Sequence, residues 1–462
     1  MAEIFGVSGI IISLVLLMYL AYRGISVIIL APVLAMLAVL IASEGTQMLG
    51  IYTQIFMQKM GGFIIKYFPI FLLGAIFGKL MEDSGSARAI ARSIIRTLGQ
   101  KHAVLSIVLA CGVLTYGGVS AFVVAFTVYP LAAALFREVN LPKRYIPATI
   151  ALGAFTFTMT CLPGTMQIHN IIPTNYFGTD AYAAPVIGLS AGIIIMILGL
   201  IWINSRLNKY ANEGYGENHT HEPEIDNSML LPSALMAFMP VIVVVLVNYL
   251  MTWHIIPSWD TNYLSEDKFG GSSVSSLRGI WSMIVALLCA IVTVVLVNFK
   301  KFKDLNQTMT QGAMGSMLPT FNTGSEVGYG GTIAALGAFV LVKDAVINIA
   351  PGYPLISEVV AVNVLAGITG SASGGLTIAL EALGQTYAQL AQQYGIDPGW
   401  MHRLASMASG GFDTLPHNGA VITLLTICGL SHRQSYKDIA MVSLAIPVSI
   451  TFAFAFILSF FF

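Results

Sequence analysis

Residues 68–80 read FPIFLLGAIFGKL, and residues 318–330 read LPTFNTGSEVGYG. Both carry one skeleton, Pro-x-Phe-x-x-Gly-x-x-x-Gly. It is Pro69, Phe71, Gly74 and Gly78 in the first copy, and Pro319, Phe321, Gly324 and Gly328 in the second. Neither copy is a metal or phosphate motif. Together they mark an internal duplication, and small residues four apart let apolar helices approach closely. In a bilayer, a duplication whose copies insert in opposite directions belongs to a transporter.

Composition puts the chain in a bilayer. Of its 462 residues 56% are hydrophobic and 10% charged, with a mean hydropathy of +0.80, where a soluble domain carries about 25% charged residues. Windows 4–21, 25–42, 183–203, 231–251, 279–297 and 439–461 are nearly unbroken apolar runs. At a helical rise of about 1.5 Å per residue, such runs cover most or all of a hydrocarbon core about 30 Å thick. The expected class is an all-α polytopic membrane protein, crossing the bilayer many times. A β-barrel would need short alternating segments, which are missing. The start, MAEIFG, has an acid where a signal peptide has bases, and no small-residue cleavage site follows. It reads as a retained first span. A formal net charge of zero gives no reason to expect nucleic acid. Cys111, Cys161, Cys289 and Cys428 lie far apart in or beside apolar spans, and read as buried small hydrophobes.

Basic residues orient the loops. Arg88, Arg92, Arg96 and Lys101 in 82–101, and Arg137, Lys143 and Arg144 in 137–144, belong to the cytoplasm. So do Arg206 and Lys209, the group Lys300, Lys301 and Lys303, and the pair Arg433 and Lys437. Segment 171–182, with Asp180 alone, and segment 253–277, with Asp260, Glu266 and Asp267 against Lys268, face outward. Threading the chain through these assignments sends the Pro69 segment inward and the Pro319 segment outward. The reading is therefore two inverted repeats, 1–204 and 229–462. A polar cytoplasmic linker, 205–228, joins them, and its His219-x-His221 reads as exposed histidines rather than a metal pair.

Inversion requires an odd number of crossings per half. Residues 102–136 are basic at both ends and apolar between, so they read as a re-entrant hairpin with its tip at Thr115–Ser120. Two short tilted spans broken by glycines are the other reading. The counterpart is 355–383, with its tip at Thr369–Gly375. A broken helix follows each hairpin: 145–170, interrupted at Thr160–Thr165, and 401–430, interrupted at Asp413–Gly419. Each half then has five crossings and one hairpin.

No P-loop, GxSxG, HExxH or nucleophile–base pair appears, which argues against ATP drive and against an enzyme. No cofactor is expected. Polar chemistry concentrates at the four interruptions, where irregular backbone is tolerated only if buried or lining a cavity. Half-helix N-termini there suit a carboxylate. Candidate substrate-binding residues in the first half are Thr115, Tyr116, Gly117, Gly118, Ser120, Thr160, Gly164, Thr165, Gln167, His169 and Asn170. In the second half they are Ser371, Ser373, Gly374, Thr414, His417 and Asn418. Any single Ser or Thr among them could instead bond its own helix; the symmetric clustering carries the argument. Asp413 and Glu326 are acids at membrane depth and candidates for coupling, although Asp413 could equally cap a helix. Glu381 and the pair Lys343–Asp344 lie nearer the outer interface. His169 and His417 could carry protons or be structural.

Residues 71–102, FLLGAIFGKLMEDSGSARAIARSIIRTLGQKH, resemble the gluconate permease family of the ion transporter superfamily. The likeness continues at TGSASGGLTIAL, 369–380, and SGGFDTLPHNGAVITLL, 409–425, and extends over nearly the whole chain. It implies a proton-coupled carrier of small hydroxylated carboxylates, a homodimer, and a mobile transport domain working like an elevator against a static scaffold. The family pattern has a Glu in the first hairpin where this chain reads Tyr116-Gly117-Gly118-Val119. It also has a His-Pro-rich first break, where this chain reads Cys161 to His169. Fewer polar groups favour a smaller substrate, and the chain is similar to the D-β-hydroxybutyrate permease branch. A short-chain hydroxy monocarboxylate such as 3-hydroxybutyrate is the expectation. Gluconate or another sugar acid, and sodium in place of the proton, are the alternatives. A channel is a different class, and it would need a continuous polar lining.

Overall fold

The computed structural model describes residues 2–23, 25–42, 45–216, 231–416 and 418–461. Position 417 and the linker stretch 217–230 lie outside the described residues, so the expectations for His417, His219 and His221 do too. The main helices, the hairpin and the interrupted run come twice in one order. The first half starts with α1 (Ala2–Tyr22) packed on α2 (Val27–Ile41). Next comes α3 (Gly45–Asp83), a long helix with a π-helical stretch at Ile51–Phe56 and Pro69 inside. The short α4 (Ser86–Leu98) leads to a helical hairpin of α5 (Ala103–Tyr116) and α6 (Ala121–Glu138). An interrupted run of α7 (Ile146–Ala154), α8 (Phe157–Thr160) and α9 (Thr174–Phe177) follows, and α10 (Pro185–Lys209) ends the half.

The second half repeats the order. It has α11 (Ala234–Ser258), α12 (Val274–Asn298), the long Pro319-containing α13 (Leu305–Ala335) and the short α14 (Phe339–Ile347). Its hairpin is α15 (Pro354–Thr369) and α16 (Ala372–Tyr394). Its interrupted run is α17 (Pro398–Ser409), a 3-10 turn at Phe412–Thr414 and α18 (Gly419–Cys428), before α19 (His432–Leu458). Local chemistry sets these boundaries. Asp304, Ser371, Asp397 and Asn418 each take a first-turn N–H on a side-chain oxygen at the starts of α13, α16, α17 and α18, which is how short polar residues fix helix starts. Gly370, Gly395 and Gly429 close α15, α16 and α18 in the left-handed conformation that glycine adopts without strain.

Among the described residues, six helices are long and apolar enough to cross a membrane, or up to eight if two bent pairs count as single spans. Large side chains such as Ile65, Val186, Leu235 and Leu296 are more than 70% exposed on these helices, as a lipid-facing surface requires. The chain is a multi-pass, all-helical membrane protein.

The two skeleton helices cross in opposite directions and touch along their length. Thr308 donates to Asp83 at 2.8 Å, Gly312 sits on the backbone of Ile76, Gly324 on Ile64 and Met60, and Gly328 on Phe56. Positions rise on one helix as they fall on the other, so α3 and α13 are antiparallel. The packing role of the glycines holds for one copy only. A Cβ on Gly328 would lie 2.9 Å from the Phe56 carbonyl oxygen, whereas one on Gly74 would meet nothing within 4 Å. Gly78 faces the first hairpin tip, with Ser120 N at 3.9 Å from such a Cβ. The shared skeleton therefore serves close helix contact at Gly324 and Gly328 and leaves an open face at Gly74.

Two separate apolar cores result. One joins α1, α2, the π-helical start of α3 and the far end of α13 around Leu34, Phe56 and Tyr329. The other gathers both hairpins and both interrupted runs with their flanking helices. The second hairpin closes on Gly375, where a Cβ would lie 2.1 Å from Ala366 Cα and 2.2 Å from its nitrogen. Backbone cannot retreat as a side-chain tip can, so Gly375→Ala should splay the arms and cost about 3 kcal/mol or more, at or above the usual overpacking range. Thermal unfolding in detergent checks this, and a wild-type midpoint would contradict it.

Candidate functional site

Each hairpin tip is bonded to the interruption that follows it in sequence. In the first half Tyr116 Oη donates to the Pro163 carbonyl at 2.9 Å, and Gln167 Nε2 donates to the Thr115 carbonyl at 2.7 Å. The Met166 N–H reaches the Tyr116 carbonyl at 3.3 Å. Gly118, at φ +93°, brings the tip backbone against Met166, a conformation that glycine alone takes freely. Gly117 faces Val241 of α11. Ser120 starts α6 without capping it. In the second half Asn418 Nδ2 donates to the Gly370 carbonyl at 2.8 Å, while its Oδ1 accepts the Val421 N–H at 2.9 Å. Ser371 Oγ takes the Gly374 N–H at 3.0 Å and lies 3.5 Å from Ser373 Oγ.

The two half-sites are joined through α17. Ser406 Oγ donates to the Thr160 carbonyl at 2.8 Å, and Gly410 packs on the Thr160 side chain. Distal pieces cross over as well: Tyr129 of α6 donates to the Cys428 carbonyl at 3.2 Å, and Tyr176 of α9 donates to Glu381 of α16 at 3.0 Å. The structure thus brings both tips and both interruptions into one body.

Most candidate hydroxyls and amides are engaged locally. Thr160 Oγ1 bonds the Thr156 carbonyl, Thr165 Oγ1 the Thr158 carbonyl and Thr414 Oγ1 the Gly411 carbonyl. Asn170 gives Nδ2 to the Ala181 and Thr165 carbonyls and accepts from Arg403. Gly164, at φ +74°, packs under the Tyr182 ring. Buried and without a hydrogen-bond partner among the described residues are Thr115 Oγ1, His169 Nδ1, Asp413 Oδ1 and Glu326 Oε2. Glu326 stands apart from the interruptions, on α13 against the second tip. Glu381 is not merely interfacial: it pairs with Lys59 of α3 at 2.6 Å.

Sequence reasoning missed three buried groups. Arg403 is fully buried, with Nε and Nη2 on the Ala183 carbonyl at 3.1 and 2.8 Å. Its Nη1 reaches Asn170 Oδ1 at 2.9 Å and its Nη2 the Ala181 carbonyl at 3.3 Å. Glu358 is also fully buried, and neither carboxyl oxygen has a partner. Asn363 Oδ1 faces Gly411 and lacks a partner too. A charged pair, His402-Arg403, inside an apolar run was the available signal for the first. An open concavity of ≈ 580 Å³ lies beside the first interruption, lined by Thr179, Asp180, Tyr182, Tyr249, Trp253 and Asp397. The Tyr182 ring stands between it and Gly164.

A profile of the GntP family permeases matches residues 4–411. The chain belongs to the GntP permease family. It is 48% identical over 451 residues to an uncharacterized transporter, YxjC, of Bacillus subtilis, covering 94% of this chain and 95% of that one. A gluconate permease of Zymomonas mobilis is 26% identical over 196 residues, 40% of this chain and 43% of the relative. A high-affinity gluconate transporter of Escherichia coli is 30% identical over 136 residues, 29% of each. Among solved structures, the Alcanivorax borkumensis YdaH transporter aligns over 90% of this chain and 89% of its own, with a TM-score of 0.58 at 13% identity. Neisseria gonorrhoeae MtrF aligns over 90% and 84%, with a TM-score of 0.54 at 11% identity. At those identities the likeness is one of fold. This GntP family member is a permease and not an enzyme.

Proposed function

We propose that this permease is a proton-coupled symporter of small organic acid anions, with short-chain hydroxy monocarboxylates such as 3-hydroxybutyrate as its substrates. One observation supports the small substrate above the others: nearly every hydroxyl and amide at the two interruptions is already engaged by neighbouring backbone. A monocarboxylate needs one anion seat and one or two hydroxyl contacts. Gluconate, with a hydroxyl on nearly every carbon, needs many more, and each unmatched group would be desolvated at a cost. The names of the gluconate-carrying relatives favour a sugar acid instead, and a panel of both classes of acid in one uptake assay separates the readings.

In this proposal the hairpins and interrupted runs move as one body, elevator-fashion, against the layer of α1, α2, α3, α11, α12 and α13, within a homodimer. The carboxylate sits between the tips and the interruptions, where helix starts offer N–H groups. A proton on Asp413 neutralises the loaded site. Its Oδ1 is buried with no partner among the described residues, which disfavours the charged form. Sodium is the rival ion. Asp413→Asn should leave exchange of labelled for unlabelled substrate intact while abolishing accumulation driven by a pH gradient. Accumulation at the wild-type level would make the acid structural.

A further inference from the structure

In the second skeleton the carboxyl of Glu326 sits against the tip of the opposing hairpin. A Cβ on Gly374 would lie 1.8 Å from Glu326 Oε2 and 2.3 Å from its carboxyl carbon, so only glycine at 374 admits the acid. Glu326 is 2% exposed and Oε2 has no hydrogen-bond partner. Gly374 lies in the first turn of the 23-residue helix α16. The donors at that turn are partly taken: Ser371 accepts the Gly374 N–H on Oγ at 3.0 Å and the Gly375 N–H on its carbonyl at 2.9 Å.

Among the described residues no cation pairs with the carboxyl. On α3, Lys59 is turned to Glu381 of α16 at 2.6 Å; Tyr52, Lys66 and Tyr67 are that helix's other titratable groups near this end. Helix α2 has none, α1 carries Glu3, Tyr19 and Tyr22 with Arg23 just beyond it, and the partner arm α15 carries one acid, Glu358. Tyr329 on α13 itself bonds Ser13 at 2.7 Å. Besides Glu381, α16 carries Tyr387, bonded to Ser357 at 2.9 Å, and Tyr394.

We propose that Glu326 is a proton-binding latch for this hairpin: with the carboxyl protonated the tip packs on α13, and loss of the proton releases it. Two effects compete for the carboxyl. The helix start favours the anion by about 0.3–1 kcal/mol, at most about 2. Burying an ion with no partner costs several kcal/mol. Burial wins, so the packed state holds the neutral acid and the carboxylate requires water, which enters only when the tip leaves α13. The packed state binds one proton more than the released state, and lower pH therefore favours packing. The first half has Ile76 at the matching position, so the first hairpin has no such latch. The meaning for transport rests on the carrier reading above; the latch itself can be tested without substrate.

The test is hydrogen–deuterium exchange of the purified full chain in nanodiscs at about pH 6 and about pH 8, corrected for intrinsic exchange rates. In the wild type, amides of 372–380 should exchange more than about tenfold faster at the higher pH, within the limit of about 100-fold for one linked proton over two pH units. Glu326→Gln should be slow at both values. Gly374→Ala should be fast at both, and adding Glu326→Ala should restore slow exchange, which keeps the test valid if Glu326→Gln folds poorly. A wild-type pH response in Glu326→Gln, or no response in the wild type, overturns the latch. Failure of every acid in the uptake panel would count against the carrier reading and leave the exchange result standing.

Discussion

Arg403→Gln should destabilise the protein by about 2–3 kcal/mol, the range for losing hydrogen bonds made by a charged donor in a buried site. The guanidinium lies within the body formed by both half-sites, and it holds the backbone at Ala181 and Ala183 and the side chain of Asn170 in one fork. These groups belong to the segment after the first interruption, while Arg403 belongs to the helix before the second. The residue therefore ties the two inverted halves at the place where each loses regular helix. Gly188 approaches so closely that a Cβ there would be 2.3 Å from the Cys161 carbonyl and 3.1 Å from Arg403 Nε, so no larger group could fill the gap. The Ala181 carbonyl keeps the Gly164 N–H and Asn170 Nδ2, both at 2.8 Å, so the loss falls on the Ala183 carbonyl, which Arg403 holds at 2.8 Å, at about 1–3 kcal/mol for a buried acceptor that no water satisfies. Arg403→Lys should recover little, since one ammonium cannot reproduce a planar fork. Unfolding by heat and by denaturant in detergent measures the effect, and a Gln variant as stable as wild type would contradict it.

Asn418→Ala should weaken substrate binding by more than about tenfold, or about 1.4 kcal/mol, and should lower stability much less. Asn418 has two functions in the structure. Its Oδ1 caps α18 through the Val421 N–H, and its Nδ2 holds the Gly370 carbonyl of the hairpin tip. Losing the cap costs about 1 kcal/mol of stability. Losing the tie frees the tip from the interruption, so the proposed carboxylate seat is no longer assembled before the substrate arrives, and binding must supply the ordering. Equilibrium binding of 3-hydroxybutyrate beside a melting curve separates the two effects. Unchanged affinity would remove the second interruption from the site.

The sequence made the architecture readable because lipid imposes few solutions. Apolar windows became helices near their expected limits, as in α10 over Pro185–Lys209, and the Pro-Phe-Gly-Gly skeleton located the antiparallel pair α3 and α13. Interruption positions were readable from Leu162-Pro163 and Leu415-Pro416, since proline cannot continue a helix ladder. The partners of each polar group were not readable. Thr165 and Asn170 looked like ligands, yet Thr165 bonds the Thr158 carbonyl, and Asn170 bonds the Ala181 carbonyl and Arg403. Glu358 was hidden in an apolar arm, and its burial depends on how the hairpin packs. The faces of the two glycine pairs also escaped the sequence, because Gly74 and Gly324 share a local pattern and differ only in what tertiary structure places opposite them.

Coupled carriage of a small hydroxy acid can be read in proteoliposomes holding the purified chain, with labelled 3-hydroxybutyrate outside and either a proton or a sodium gradient imposed. Saturable accumulation driven by the inward proton gradient is expected, with faster labelled entry when unlabelled acid is preloaded and no response to sodium. Linear flux with no acceleration by internal substrate would contradict a carrier, and accumulation driven by sodium alone would contradict proton coupling.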